Sequence, residues 1–353
     1  MKNRWLGMAC VLPLLVACNS ESSAIPVSSE TVSQKQIDTI VSNINKLYPE
    51  ATQEQKLRAA KTVVRAIEEL VFVEGGSFEM GDFGAPCEIP SGTPSRMDWS
   101  PDVQCFSSPS TGETGAYNLH KVTLDSYSIA KFETRFIDME WMRQLKKLPV
   151  TSSFGPKALN YEVLRDSEWY NTLTTDLKNN AAPTKTWQEA KDYCQWLGDV
   201  SALPFDLPTE AQWEYAARSR GEKVYFATNN GYAQLQGDHY FDPVSNRYIK
   251  YTDEEVNAAV SIKDVDAYPP NPLGVAGMSN QVSEWVNDWY AKDYYLVSPE
   301  HNPQGPESGI EKVRRDAAGT TMVFSRIPHA PVEKKYYVSV SFRCALQQTT
   351  PAK

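Results

Sequence analysis

The stretch 278-MSNQVSEWVNDWY-290 sets two carboxylates among three large aromatic residues. Glu284 directly precedes Trp285, and Asp288 directly precedes Trp289. A carboxyl group in such a setting serves as a tuned general acid, as a ligand to a hard cation, or as a buried structural partner. Glu210 and Glu214 form a second pair, one helical turn apart in 210-EAQWEYAARSR-220. Thiols and imidazoles offer less. Cys87, Cys105, Cys194 and Cys344 show no CxxC spacing of a zinc or redox site. The four histidines, His120, His239, His301 and His329, contain no i,i+4 pair, which disfavours a histidine metal site on a helix. No GxGxxG, Walker loop, GxSxG or HExxH occurs.

The N-terminus sets the expected compartment. Lys2 and Arg4 precede an apolar run that ends in 14-LLVAC-18. This reads as a secretory signal over 1–17, too short to remain as a spanning helix. Leu15-Val16-Ala17 leading into Cys18 is the pattern of a lipobox, so Cys18 is the expected acylated N-terminus. Each buried CH2 of such a palmitate-type chain contributes about 0.8 kcal/mol to anchoring. Asn19, rather than Asp, points to the outer membrane, facing the periplasm. Losing Lys2 and Arg4 with the signal takes the formal charge from −9 to −11. That acidity argues against nucleic acid as a partner. An even set of four cysteines in an exported chain suggests two disulfides, with three pairings open.

Residues 18–32 are Ser-rich and read as a flexible tether. Over 33–71 the spacing predicts a helical hairpin. Ile37, Ile40, Val41, Ile44 and Leu47 form one stripe. Thr52 with Gln55 caps a second helix, whose stripe runs from Leu57 to Val71. From residue 72 the periodicity becomes short and irregular, and Pro, Gly, Trp and Tyr are frequent. Three helices are expected, over 135–148, 187–200 and 210–220. The texture is that of a loop-rich α+β domain.

The ordered segments 72-FVEGGSFEMGD-82, 120-HKVTLDSYSIAKFE-133, 184-TKTWQEAKDYCQWL-197, 207-LPTEAQWEYAAR-218, 266-DAYPPNPLGVAGMSNQVSEWVNDWY-290 and 341-SFRCA-345 resemble the formylglycine-generating enzyme family, the sulfatase-modifying factors. The resemblance covers 72–346 and leaves 347–353 as a tail. It implies a C-type-lectin-like variant fold. It also implies a disulfide between Cys194 and Cys344, which leaves Cys87 and Cys105 to pair across a Pro/Ser-rich loop within 86–118. The family holds calcium at the segment matching 280-NQVSE-284, so Asn280, Val282 and Glu284 are candidate ligands. Asp242 and Asn257 are candidates for a second calcium site. Gly277 stands where the family carries Asp or Asn, so one side-chain ligand is missing. Glu284 is therefore expected first as a structural group, with calcium as a further role.

The enzymes of the family use two thiols that bind copper(I). Here Arg315 and Thr320 occupy the matching positions in 313-VRRDAAGTTM-322, and no Cys lies between Cys194 and Cys344. A guanidinium and a hydroxyl do not make a thiolate copper site. The expectation is a pseudoenzyme: a lipid-anchored, non-catalytic module that binds a protein partner. A type VI secretion accessory or a toxin-immunity lipoprotein would fit. Arg315 and Arg326 are candidate partner contacts. The alternative is an oxidoreductase of formylglycine-generating or other type with an atypical site, drawn from Arg315, Asp316, Arg326, His329 and Arg343.

Overall fold

Thr52 opens a helix as its spacing to Gln55 requires. In the computed structural model α1 spans Gln34–Leu47 and α2 spans Gln53–Glu68. Thr52 and Gln55 exchange both bonds of the capping box, at 2.9 and 3.2 Å. The structure describes residues 25–86, 104–105, 114–150, 165–229, 231, 239–242, 247–250, 264–279, 282–315, 322–332 and 340–353. Cys18, Cys87, Asn257, Asn280, Asp316 and Thr320 lie outside these, and of Cys105 and Asp242 only the backbone is described. The acylation, the Cys87–Cys105 bridge and the roles of Asn280, Asp242 and Asn257 therefore fall outside the described residues.

The hairpin buries Ile37, Ile40 and Ile44 of α1 and Ala59, Ala60, Val63, Val64 and Ile67 of α2. It packs on α3 (Phe136–Leu145) and α5 (Trp187–Ser201), and it shares one core with Met139, Trp196, Leu197 and Phe342. Each large apolar side chain so buried contributes roughly 1.5–3 kcal/mol. The seam is also polar. Arg135 grips Glu69 with two bonds of 2.6 and 2.9 Å. Gln36 and Asn43 donate to the carbonyls of Ser201 and Val200, at the frayed end of α5. Thus the hairpin is built into the domain. Val71 departs from expectation. It belongs to strand β1 (Leu70–Val73), because the run LVFV suits a pleated strand better than a fifth helical turn.

Four strands form one antiparallel sheet in the order β1, β6 (Tyr127–Ala130), β14 (Ala345–Leu346), β7 (Phe205–Asp206). A second sheet runs β12 (Arg326–His329), β11 (Lys312–Arg315), β10 (Ser283–Trp289), β13 (Val340–Phe342), with β10 and β13 parallel. Strands β2 (Gly76–Met80) and β5 (His120–Leu124) pair beside them. Short pairs β3 (Ala85–Pro86) with β4 (Gln104–Cys105), and β8 (His239–Asp242) with β9 (Arg247–Lys250), complete the set. Helix α6 (Glu210–Ala217) lies against β10, β11 and β2. Helices α4 (Glu168–Thr175) and α7 (Tyr294–Val297) are shorter.

Cys194 of α5 and Cys344, between β13 and β14, form a disulfide with Cα atoms 5.5 Å apart. It closes a loop of 150 residues. The chain-entropy model puts such a closure at about 5 kcal/mol. The bridge fixes α5 to the segment that carries Arg343, and so to the charged interior.

Candidate functional site

Thr209 ends an extended segment and caps α6. Its hydroxyl accepts from the Gln212 amide at 3.1 Å, and Gln212 returns a bond of 3.0 Å. That start fixes the phase of α6, so Glu210 and Glu214 both face β11 and β12. Arg315 of β11 donates to Glu210 at 2.9 Å and to Glu214 at 2.8 Å. It also donates to the Val323 carbonyl and, at 3.5 Å, to the Tyr295 hydroxyl. Arg326 of β12 makes a two-pronged bond to Glu210, at 3.0 and 2.8 Å. Arg218, at the end of α6, completes Glu214 at 2.8 Å. Tyr295 donates to Glu210 at 3.1 Å, and the Gly81 amide donates to Glu214 at 2.9 Å.

All of these charged groups are buried. Arg315 and Arg218 are 0% exposed and Arg326 1%. Burial alone would raise Glu210, but the guanidiniums of Arg326 and Arg315 outweigh it and hold its pKa below the ordinary value. Burial likewise opposes the charge on Arg315, and Glu214 beside it restores it. Asp288 receives the Glu210 backbone amide at 2.8 Å. Burial and the nearby Glu210 charge push Asp288 up to about 7. Such a cluster places donors on acceptors; it leaves no acid–base pair facing a substrate.

A second cluster surrounds Glu284. Arg343 donates to both of its oxygens at 2.7 Å, and the Trp213 indole adds a bond of 3.0 Å. Arg343 also reaches the carbonyls of Ala130, Lys131 and Ala276. Glu284 thus pairs its charge with a guanidinium, the structural role expected for it first. Val282 is buried beside it. Sequence reading passed over Glu133, the neighbouring carboxylate. It is 1% exposed, and neither oxygen has a hydrogen-bond partner. Arg343 lies 3.6 Å away, near enough to attract but beyond hydrogen-bond range. Burial drives Glu133 up to about 7; Arg343 opposes this and Glu284 adds to it. Gly277 sits against it with φ +79°, and a Cβ there would come within 2.3 Å of a Glu133 oxygen. So the glycine that removes one family ligand makes room for another carboxylate. Among the described residues no group of three or more His, Cys, Asp or Glu is placed to hold a metal ion.

Several expectations are corrected. Arg315 and Arg326 are not surface contacts, because both are sealed in the Glu210–Glu214 cluster. Arg343 is equally committed to Glu284. His329 packs edge-on to Trp285 at 5.2 Å, and its Nδ1 lies 2.7 Å from the Ala330 carbonyl oxygen. These residues therefore do not converge on an open cleft as an alternative active site. Of the aromatic residues in the opening stretch, Trp285 is core and Trp289 and Tyr290 are half-buried. Trp285 donates to Thr184 at 3.0 Å, and Trp187 to the Val286 carbonyl at 2.8 Å. Sequence reading also missed Lys312, whose ammonium lies 3.7 and 3.9 Å from the ring centres of Trp187 and Trp289. The alternation of Lys312 and Arg314 against Val313 and Arg315 was the available signal, but it names a face and not a partner. A two-thiolate copper site does not fit. Arg315, which the resemblance aligns with one of its thiols, is a buried guanidinium, and Cys194 and Cys344 are bonded to each other.

Comparison with known proteins agrees with this architecture. The chain is 35% identical to the mouse (Mus musculus) formylglycine-generating enzyme over 131 residues, 37% of this chain and 32% of that one. It is 30% identical to the formylglycine-generating enzyme of Streptomyces coelicolor over 141 residues, 40% of this chain and 42% of that one. It is 33% identical to the serine/threonine-protein kinase pkn1 of Chlamydia pneumoniae over 132 residues, 37% of this chain and 17% of that one. The match thus spans less than half the length of each of these relatives. Among solved structures, PvdO from Pseudomonas aeruginosa shares the fold, with a TM-score of 0.51 at 19% identity, over 79% of this chain and 94% of that one. The profile of the sulfatase-modifying factor enzyme 1-like domain matches residues 55–345, and the chain belongs to that family.

Proposed function

We propose that this chain is a non-catalytic, protein-binding member of the family, tethered to the cell envelope through Cys18. One observation carries the reading. Arg315, at a position that the family resemblance aligns with a copper-binding thiol, is a buried guanidinium paired with Glu210 and Glu214. A fixed cation at that point opposes a metal cation, and a guanidinium supplies no nucleophile. The relatives favour no single activity, since their names include both formylglycine-generating enzymes and serine/threonine kinases.

The partner is assigned as an envelope protein, in the manner of a type VI secretion accessory or a toxin-immunity lipoprotein. Calcium is assigned a structural role beside Glu133, in the turn that follows Gly277. Incubation of the purified chain with a sulfatase-type Cys peptide and copper tests the main claim. Mass spectrometry should find the Cys unchanged; formylglycine in the peptide would overturn the non-catalytic reading in favour of an atypical oxidoreductase. Affinity capture from periplasm, with Cys18→Ser as the released form, tests the tether and the partner together.

A further inference from the structure

A cleft of about 500 Å³ opens between the hairpin and the domain. Helix α2 contributes Gln55 and Arg58. Gln144 comes from α3, Lys147 follows its end, and Arg165 and Tyr170 come from the start of α4. Among the described residues that line it, three are cations and none is an acid, on a chain with a formal charge of −9. From this cleft we infer a binding site for a small ligand that carries a phosphate or sulfate group.

The cations are held in place by groups on its walls. Arg165 donates to Glu140 at 2.7 Å and to the Leu148 carbonyl at 2.8 Å. Glu140 is wholly buried, and it also accepts from Gln144 and Tyr170. Burial, with the Glu140 charge next, raises Tyr170 to about 12, so its phenol stays neutral and keeps its bond to Glu140. Arg58 pairs with Glu54 and lies 4.3 Å from the Trp141 ring centre, which steers its guanidinium along the wall. The side chains of Arg58 and Arg165 remain 38% and 36% exposed, so both still meet solvent. Lys147 adopts φ +56°, a conformation that costs free energy in a non-glycine residue. It ends α3 there with its side chain at the cleft.

Glu54 and Glu140 offset two of the three charges, and Lys147 supplies the local surplus. Planar guanidiniums match the oxygens of a phosphate or sulfate two at a time, and the Lys147 ammonium and the Gln55 amide can add further donors. An acidic chain repels anions elsewhere, so a site of this composition would concentrate them here.

The test is calorimetric titration of the full chain with inorganic phosphate and with sulfate, against chloride at matched ionic strength. A parallel arm uses phosphatidylglycerol vesicles against phosphatidylcholine vesicles. Saturable binding of the free anions is expected. Lys147→Gln and Arg58→Gln should each weaken it by about tenfold, with unchanged melting temperature. Arg165→Gln is unsuitable, because it would strand buried Glu140. Binding to phosphatidylglycerol alone, with the same loss in both variants, would support the site and assign its phosphate to a lipid headgroup. No saturable binding in either arm, or binding that the double variant leaves unchanged, overturns the proposal.

Discussion

Two buried charge clusters meet strand β10, one through Asp288 and the other through Glu284, and they are provisioned differently. Beside Asp288, two carboxylates (Glu210 and Glu214) pair with three guanidiniums (Arg218, Arg315 and Arg326), while Asp288 accepts the Glu210 amide. Around Glu284, two carboxylates share Arg343, and Glu133 receives no hydrogen bond. The first cluster closes on itself, so its arginines have structural work only. In the second, two carboxylates share one guanidinium, and burial pushes Glu133 up to about 7. The same chemistry of Glu and Arg therefore gives a plug in one place and a potential ion site a few residues away.

The largest effect should come from unbalancing the first cluster. Arg315→Ala leaves Glu210 and Glu214 short of a donor in a dry interior, and about 3–5 kcal/mol of stability should be lost. Urea denaturation of the variant checks this; a loss under 1 kcal/mol would mean that water reaches the cluster, and the contrast would fail.

The second cluster should reveal itself by pH. Glu133 moves from an ordinary 4.5 to about 7 in the fold. A raised acid holds its proton in the folded state, so its contribution is full below about 4.5 and is lost as pH rises to about 7. The shift corresponds to roughly 3 kcal/mol at most. Asp288, moved from 3.8 to about 7, adds a slope of the same sign. Glu210 works oppositely: its lowered pKa gives stability above the unfolded value that is lost only as pH falls through the folded one. Melting temperature should thus decline between pH 5 and 7, and Glu133→Gln should flatten that decline. An unchanged slope in the variant would show that Glu133 is already ionised by a partner.

Smaller effects sharpen the geometry. Gly277→Ala adds a Cβ against Glu133 at a positive φ, and it should cost about 1–2 kcal/mol by the same denaturation assay. A neutral result would place Glu133 elsewhere. Smallest of all, calcium should raise the melting temperature by a few degrees at pH 8 and less at pH 5, where protons compete for the carboxylate. Equal melts with calcium and chelator, or a calcium shift that persists in Glu133→Gln, would leave the proton as the sole counter-charge.

Much of the scaffold was legible because it is local. The Thr52–Gln55 and Thr209–Gln212 boxes, the stripes of α1 and α2, and the helices at 136–145, 187–201 and 210–217 follow from spacing alone. The family order implied the Cys194–Cys344 bridge, which is present. Helix α4 and the second sheet were not legible. Their segments are short, and β10 is buried on nearly every residue, so no alternation marks its faces. Arg315 and Arg326 misled for a related reason. Arginine is usually exposed, and a sequence cannot say that two glutamates 101 and 116 residues away will bury it.

The sequence by itself determined the helix starts, the family resemblance and the absence of any Cys between Cys194 and Cys344. Each depends on residue identity or on spacing within a few turns. Only the tertiary structure decided which charges are spent and which are left over. Glu133, Glu210, Glu214 and Glu284 look alike in sequence. They differ because folding brings a guanidinium within 3 Å of three of them and leaves the fourth at 3.6 Å, beyond a hydrogen bond. In a dry interior that difference separates a neutralised ion pair from a carboxyl group that keeps its proton or takes a metal ion.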